Sequence, residues 1–332
     1  MELKVLFSAV LTRLLFMFHS VLGVWRVASL QKDNIYWLLA VCNILLCIEM
    51  VLTVKFKKGK GLKWVSPPIF FYLLSIVPSF WFLEMNSDLQ ECGNKTAIVL
   101  NFTHTDVIQM GIQLVQSLNE MCQTEWKLLL HQSFLMLLIV GKWLLPIGEG
   151  ITRDQLSQLL IIFLGTAADI LDFAGETLEH ISIRNNNTFL SIILGVWTWS
   201  MLQFPIDLGV QNIRCSEESP SKRSFYVKLC EHSADLWYIA IGLLIQDGPF
   251  LTVRIVILAW FNITKQTVVF FAVKNSLMVL LHLYRLVIIM RSIYAESQEA
   301  KEKADCHAPD PEVTCVNPVS DAKGDQSLKV DL

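Results

Sequence analysis

Long unbroken apolar blocks, each bounded by a few polar residues, recur from one end of the chain almost to the other. A bilayer core about 30 Å thick is crossed by roughly 20 mostly apolar helical residues. Eight stretches meet that requirement: Val5–Val27, Ile35–Val54, Pro67–Leu83, Leu128–Ile147, Leu156–Ala174, Phe189–Val210, Leu236–Trp260 and Thr267–Arg291. A membrane barrel would alternate apolar and polar positions, whereas these runs are continuous, so the pattern predicts helices. The fourth and fifth are separated only by Gly148–Gln155, where Gly148, Glu149, Gly150 and Arg153 suit a tight turn. The first run lies where a signal peptide would, but it contains Arg13 and His19 and has no small-x-small cleavage pattern before Gly23. It reads as a retained helix. The predicted fold class is therefore all-α: a polytopic integral membrane protein with a bundle of eight transmembrane helices over residues 1–295 and a polar tail over 296–332.

Composition agrees with the pattern. Of 332 residues, 53% are hydrophobic and 17% charged, against about 45–50% and about 25% in soluble domains. The net charge of −3 offers no basic excess for nucleic acid, and the lipid bilayer is the one partner that the sequence names. Lys and Arg set the orientation, because cytoplasmic links are enriched in them. Lys55, Lys57, Lys58, Lys60 and Lys63 lie between spans two and three, and Arg214, Lys222, Arg223 and Lys228 between spans six and seven. Placing both links in the cytosol puts both termini there and leaves the base-poor links outside.

Other signals bear on the same orientation. The N-x-[ST] acceptors Asn94, Asn101, Asn186 and Asn262 all fall in links assigned outside. Asn94 and Asn101, in the long outer loop 85–127, are the expected N-glycosylation sites, and Asn262 adjoins Trp260, where the membrane shields it. Trp25, Trp37, Trp64, Trp81, Trp126, Trp237 and Trp260 mark span ends, as an interfacial belt would. Among eight cysteines only Cys92 and Cys122 share the oxidising side, so they form the expected disulfide. The secretory pathway and the plasma membrane follow as the expected location. Val107, Ile108, Gly111, Ile112, Val115 and Leu118 recur at helical spacing within the outer loop. Beyond Glu296, Pro309, Pro311 and Pro318 among charges predict a disordered tail.

Several blocks resemble the transmembrane protein 26 family. They are Thr12-Arg13-Leu14-Leu15-Phe16 with His19-Ser20 and Gly23-Val24-Trp25-Arg26, then Tyr36-Trp37-Leu38-Leu39-Ala40, and Phe56-Lys57-Lys58-Gly59-Lys60-Gly61 with Trp64 and Pro67. Ser75-Ile76-Val77-Pro78-Ser79 and Gln246-Asp247-Gly248-Pro249-Phe250 continue the likeness, which reaches all eight spans and is weakest in the tail. The resemblance implies a multi-pass membrane protein. It brings no molecular activity and no catalytic or ligand residue with it.

No phosphate loop, nucleophile elbow, zinc-protease helix, dinucleotide turn or Cys/His metal pattern is present in the sequence, so neither metal nor cofactor is expected. What remains is the set of ionisable residues inside spans, which are costly in lipid and turn toward the bundle interior. Five are cations, Arg13, Lys142, Arg254, Lys274 and Arg285; five are anions, Glu49, Asp169, Asp172, Asp207 and Asp247. By depth, Arg13, Glu49, Lys142, Asp207 and Arg285 belong to the inner half, and Asp169, Asp172, Arg254 and Lys274 to the outer half, with Asp247 near the middle. Asp169, Asp172, Glu176 and Glu179 make an acidic stripe on span five, and depth matching nominates Arg254 or Lys274 as partner of Asp172.

Three readings of these charges follow. They are ion pairs fixing helix register, or they line a polar cavity for an ion, proton or small solute, a reading to which Gly248-Pro249 beside Asp247 lends a helix break. In the third, Asp172 and Asp247 share a proton as in an aspartyl hydrolase; no motif supports that one, and no enzyme is expected. The leading expectation is a cell-surface binding or scaffold protein working through its outer loop and inner tail. The alternative is a channel or transporter.

Overall fold

A computed structural model describes residues 2–31, 33–57, 65–86, 121–145, 153–178, 181–206 and 232–305. Over those residues the chain is helical. Helix α1 (Glu2–Gln31) passes through a 3-10 turn (Asn34–Val41) into α2 (Cys42–Lys57), the turn opened by Asp33, whose carboxylate accepts from the Ile35 amide at 3.2 Å. Next come α3 (Pro67–Met85), α4 (Gln123–Leu144), α5 (Arg153–Leu178), the short α6 (Ile181–Arg184) and α7 (Asn187–Met201). Asn186 caps α7 through its side-chain oxygen, which accepts from Phe189 N at 3.2 Å. Helix α8 (Ser233–Ile241) continues without a break through a π-helical segment (Gly242–Asp247) into α9 (Gly248–Trp260). Helix α10 (Gln266–Asp305) closes the order.

Seven helices are long and apolar enough to cross a membrane among the described residues. The expected sixth span, Phe189–Val210, is represented by α7, whose 15 residues rise about 22 Å. Turns at Leu202–Pro205 follow it, and Asp207–Val210 lie outside the described residues. The end of α7 is tied to the start of α3 by Ser66 N donating to Pro205 O at 2.7 Å and by an isolated antiparallel bridge between Val65 and Ile206.

The last helix departs from the sequence expectation. Residues 296–305 were expected to begin the disordered tail, yet α10 runs through them to Asp305. Ala295, Ala300 and Ala304 among Glu and Lys are strong helix formers, and Glu299 with Lys303 makes a favourable i,i+4 pair in sequence. Local propensity carries the helix past the point where hydrophobicity stops.

The core is aromatic. Phe16 of α1 stacks on Tyr72 of α3 at 4.3 Å, Tyr72 meets Phe134 of α4, and Phe80 and Phe134 both pack on Trp197 of α7. A second centre, Phe173 of α5 stacked on Phe250 of α9 at 4.1 Å, joins the later helices. By contrast, Ile44, Ile48, Val51 and Leu52 on α2, and Phe270, Val273, Leu277 and Leu280 on α10, are exposed. Apolar faces turned out of the bundle in this way belong in lipid. The expected tryptophan belt is only partly at the surface: Trp37, Trp237 and Trp260 are exposed, but Trp126 is buried with the Arg26 guanidinium 5.1 Å over its ring.

Candidate functional site

Three buried ion-pair clusters hold helices together. The Arg13 guanidinium of α1 grips Glu49 of α2 with two bonds, Nε to Oε2 at 2.7 Å and a terminal nitrogen to Oε1 at 2.8 Å. Arg13 donates again to Ala9 O, and Thr53 donates to Glu49 Oε1 at 2.7 Å. Both charges are thus neutralised and hydrogen-bonded, as burial demands. Glu176 of α5 receives Arg254 of α9 through two nitrogens at 3.0 Å, and the guanidinium sits over the rings of Phe173, Phe250 and Phe271.

The third cluster forms a rim where α3, α4 and α6 meet. Glu84, near the end of α3, takes Lys127 of α4 at 3.0 Å and Arg184 of α6 at 3.5 Å, with the carboxylate buried. Beside it Arg26 of α1 donates to Met121 O at 3.2 Å, and Cys122, at the N-cap of α4, is disulfide-bonded. Residues 87–120 therefore connect two stems, at Asn86 and Met121, that are fixed by buried charge. Deeper in the bundle, His19 of α1 hydrogen-bonds with Tyr72 at 2.8 Å and with Ser133 of α4 at 2.9 Å.

The most distinctive geometry surrounds the π segment. Gly248 and Pro249 stand at its end, and proline offers no amide to continue the regular ladder. A Cβ on Gly248 would lie 2.2 Å from the Leu243 carbonyl oxygen, so only glycine admits the widened turn. Trp199 of α7 donates its indole N–H to Leu244 O at 3.0 Å, taking up a π-segment carbonyl. The last two residues of the segment are buried polar groups. Gln246 donates to Asp169 of α5 at 3.3 Å, and Asp169 also pairs with Lys274 of α10. Asp247 faces His282 of α10, Oδ2 to Nε2 3.4 Å. Gly242 makes room for that imidazole: a Cβ there would meet Nε2 at 2.6 Å. Three residues beyond His282, Arg285 of α10 pairs with Asp235 of α8 at 2.8 Å. Segments of π-helix inside α-helices are frequent at functional sites.

The residues named from sequence are distributed accordingly. Arg13 meets Glu49, Asp169 meets Lys274, Asp247 meets His282, Arg254 meets Glu176 and Arg285 meets Asp235. Lys142 is buried with its ammonium 5.3 Å from the Phe163 ring centre. Asp172 is exposed and stands in no ion pair among the described residues, so depth matching chose the wrong acid for both Arg254 and Lys274. Helical phase fits the outcome: Asp169 and Glu176, seven apart, lie within about 20° of one another, whereas Asp172 is turned about 40–60° to one side of them and is exposed. Asn94, Asn101, Cys92 and Asp207 lie outside the described residues.

Sequence reasoning passed over Glu84 with Lys127 and Arg184, Asp235, and the histidines His19 and His282. His282 carried a usable signal, since it follows Lys274 by eight residues on a helix already known to bear charge. Among the described residues no group of three His, Cys, Asp or Glu side chains is arranged to hold a metal ion. No solved structure matches the fold. The model of the transmembrane protein 26 family matches residues 3–285, most of the chain, with Arg13, Glu49, Asp169, Asp247 and His282 inside the matched range. With seven candidate membrane-crossing helices over the same residues, the chain is a multi-pass membrane protein that belongs to the transmembrane protein 26 family.

Proposed function

We propose that this protein is a cell-surface binding protein, not an enzyme, that presents residues 87–120 from a rigid rim. The observation that carries this reading is the buried Glu84–Lys127–Arg184 cluster, which clamps the ends of α3 and α4 from which that segment departs. A buried carboxylate held by two cations does not yield easily, because removing one partner strands charge in a low-dielectric interior. Such stems suit presentation of a loop to a partner. The reading includes spans that run eight times with both termini cytosolic, glycans on Asn94 and Asn101, a Cys92–Cys122 pairing, and residence at the plasma membrane after the secretory pathway.

Replacing residues 93–119 by a glycine-serine linker of equal length, with Glu84, Cys92, Cys122 and Lys127 retained, tests it. Insertion and the oligomeric profile in detergent should stay as in the parent, while photo-cross-linking to extracellular proteins on intact cells should be lost. An unchanged cross-linking pattern would remove the proposal.

One observation favours a second reading, passage of an ion, proton or small solute. The π segment sets Gln246 and Asp247 among charges of α5 and α10 within membrane-spanning helices. Irregular helix at that depth is tolerated where neighbouring helices or a polar cavity satisfy its backbone.

A further inference from the structure

Along α10, three basic residues recur on nearly one face, Lys274, His282 and Arg285, eight and then three residues apart. Each meets an acid from a different element: Asp169 of α5, Asp247 of the π segment and Asp235 of α8. The exposures decide what this ladder can do. The side chains of Lys274 and Asp169 are 36% and 28% exposed, and those of Arg285 and Asp235 51% and 49%. Between them His282 and Asp247 are sealed at 9% and 8%. An open pair, a closed pair and an open pair thus succeed one another along the helix, with the one imidazole of the ladder at the closed step.

We infer that this ladder is a proton path in which the sealed Asp247–His282 pair is the central step. The inference rests on the second reading above and names its species. An ion-binding cage would require several oxygens turned to one centre, whereas here each acid faces a base. Imidazole is the side chain that takes up and releases protons near neutrality. Titratable and charged residues in spans mark proton relays when they line up in this manner. The groups facing the pair are Asp169 from α5, Tyr238 from α8, whose ring lies 5.8 Å from that of His282, and Lys274 from α10 itself. Arg285 pairs with Asp235.

The transfer balances without any co-reactant. A proton arriving from the Asp169 end protonates Asp247, and it then passes from Oδ2 to Nε2 of His282. The carboxylic acid becomes a carboxylate as the neutral imidazole becomes an imidazolium. Loss of the Nδ1 proton to water leaves the neutral Nε2–H tautomer, and a turn of the ring that presents the bare Nδ1 to Asp247 readies it to accept again. Gly242 and Gly248 serve this arrangement sterically, the first by letting Nε2 approach and the second by permitting the π turn that aims Asp247 at α10.

The test uses the full chain in liposomes that contain a trapped pH-sensitive dye, with a potassium gradient and valinomycin supplying the driving potential. Wild type should acidify the lumen well above the rate of protein-free vesicles. Asp247→Asn and His282→Gln should each fall to the protein-free rate. Because a single neutralisation can prevent folding, the double variant Asp247→Asn/His282→Gln is run beside them; with no charge left unpaired it should fold and carry no protons. Wild-type vesicles no faster than empty ones would overturn the inference without recourse to any variant, as would proton flux that persists in a folded variant. Sodium, potassium or chloride flux above that of protein-free vesicles, measured in matched vesicles without valinomycin and with no proton flux, would also overturn it, while leaving the broader transport reading intact. Absence of every flux would end both.

Discussion

Glu49 shows what a single side chain inside this bundle must satisfy. Its two oxygens take the Arg13 fork and the Thr53 hydroxyl, and no acceptor is left idle. Glu49→Gln would strand the guanidinium, and breaking one side of a buried pair costs about 3–5 kcal/mol. The double variant Arg13→Leu/Glu49→Leu removes both charges and should recover most of that loss. Thermal melting of the purified protein in detergent reads both outcomes; equal losses in single and double variants would contradict the pairing. The same measurement separates Asp172 from Glu176. Asp172→Asn should shift stability by no more than about 0.5 kcal/mol, as at an exposed site. Glu176→Gln should instead destabilise strongly, because Arg254 is 2% exposed and has Glu176 as its ion-pair partner. Charge content alone revealed that these residues would seek partners. The choice among neighbours three and seven residues apart depends on the rotation of α5 against α9 and α10, which the hydropathy of α5 alone does not encode.

At the scale of elements, α8, the π segment and α9 act as one interrupted span. Gly248→Ala should force the π turn toward regular helix or expel it, since Cβ and the Leu243 carbonyl cannot share 2.2 Å. Gly242→Ala should leave the turn intact and push His282 away from Asp247. Histidine ring resonances in a side-chain-labelled sample should therefore shift in both variants, with a loss of thermal stability expected to be larger for Gly248→Ala. Identical spectra for wild type and Gly242→Ala would refute the close approach. The Gly-Pro pair beside Asp247 was visible in the sequence, but not its consequence. A proline in a membrane helix can produce a kink, a regular turn or a π segment. Here the π segment forms with Trp199 of α7 donating to Leu244 O, a contact 45 residues away in sequence. The turn at Asn262, a positive-φ residue with φ 51°, is local by comparison, and asparagine tolerates that conformation.

For the whole molecule, the pairs tie together helices from different parts of the chain: Arg13 with Glu49 joins α1 to α2, Arg285 with Asp235 joins α10 to α8, and Glu84 with Lys127 and Arg184 joins α3 to α4 and α6. Seven of the eight hydrophobic blocks coincide with long apolar helices, so most of the span pattern was legible, because lipid imposes length and apolarity directly. The contrast at α7 arises because turns follow Met201, so that apolar sequence outlasts the helix. An epitope placed after residue 332 should stain only permeabilised cells if both termini are cytosolic. Endoglycosidase should shift wild type on a gel and leave the Asn94→Gln/Asn101→Gln variant unmoved. An unshifted wild type would invert the orientation read from Lys55 to Lys63.

The length of α10 has a mechanical consequence. Its 40 residues reach about 60 Å, twice the thickness of a hydrocarbon core of about 30 Å. The part apolar enough to span ends at Ala295, so the remaining turns project about 15 Å farther. This projection is continuous with the stretch that holds His282. Along a straight helix a tilt of about 10° at His282 carries Asp305, 23 residues farther on, through about 6 Å.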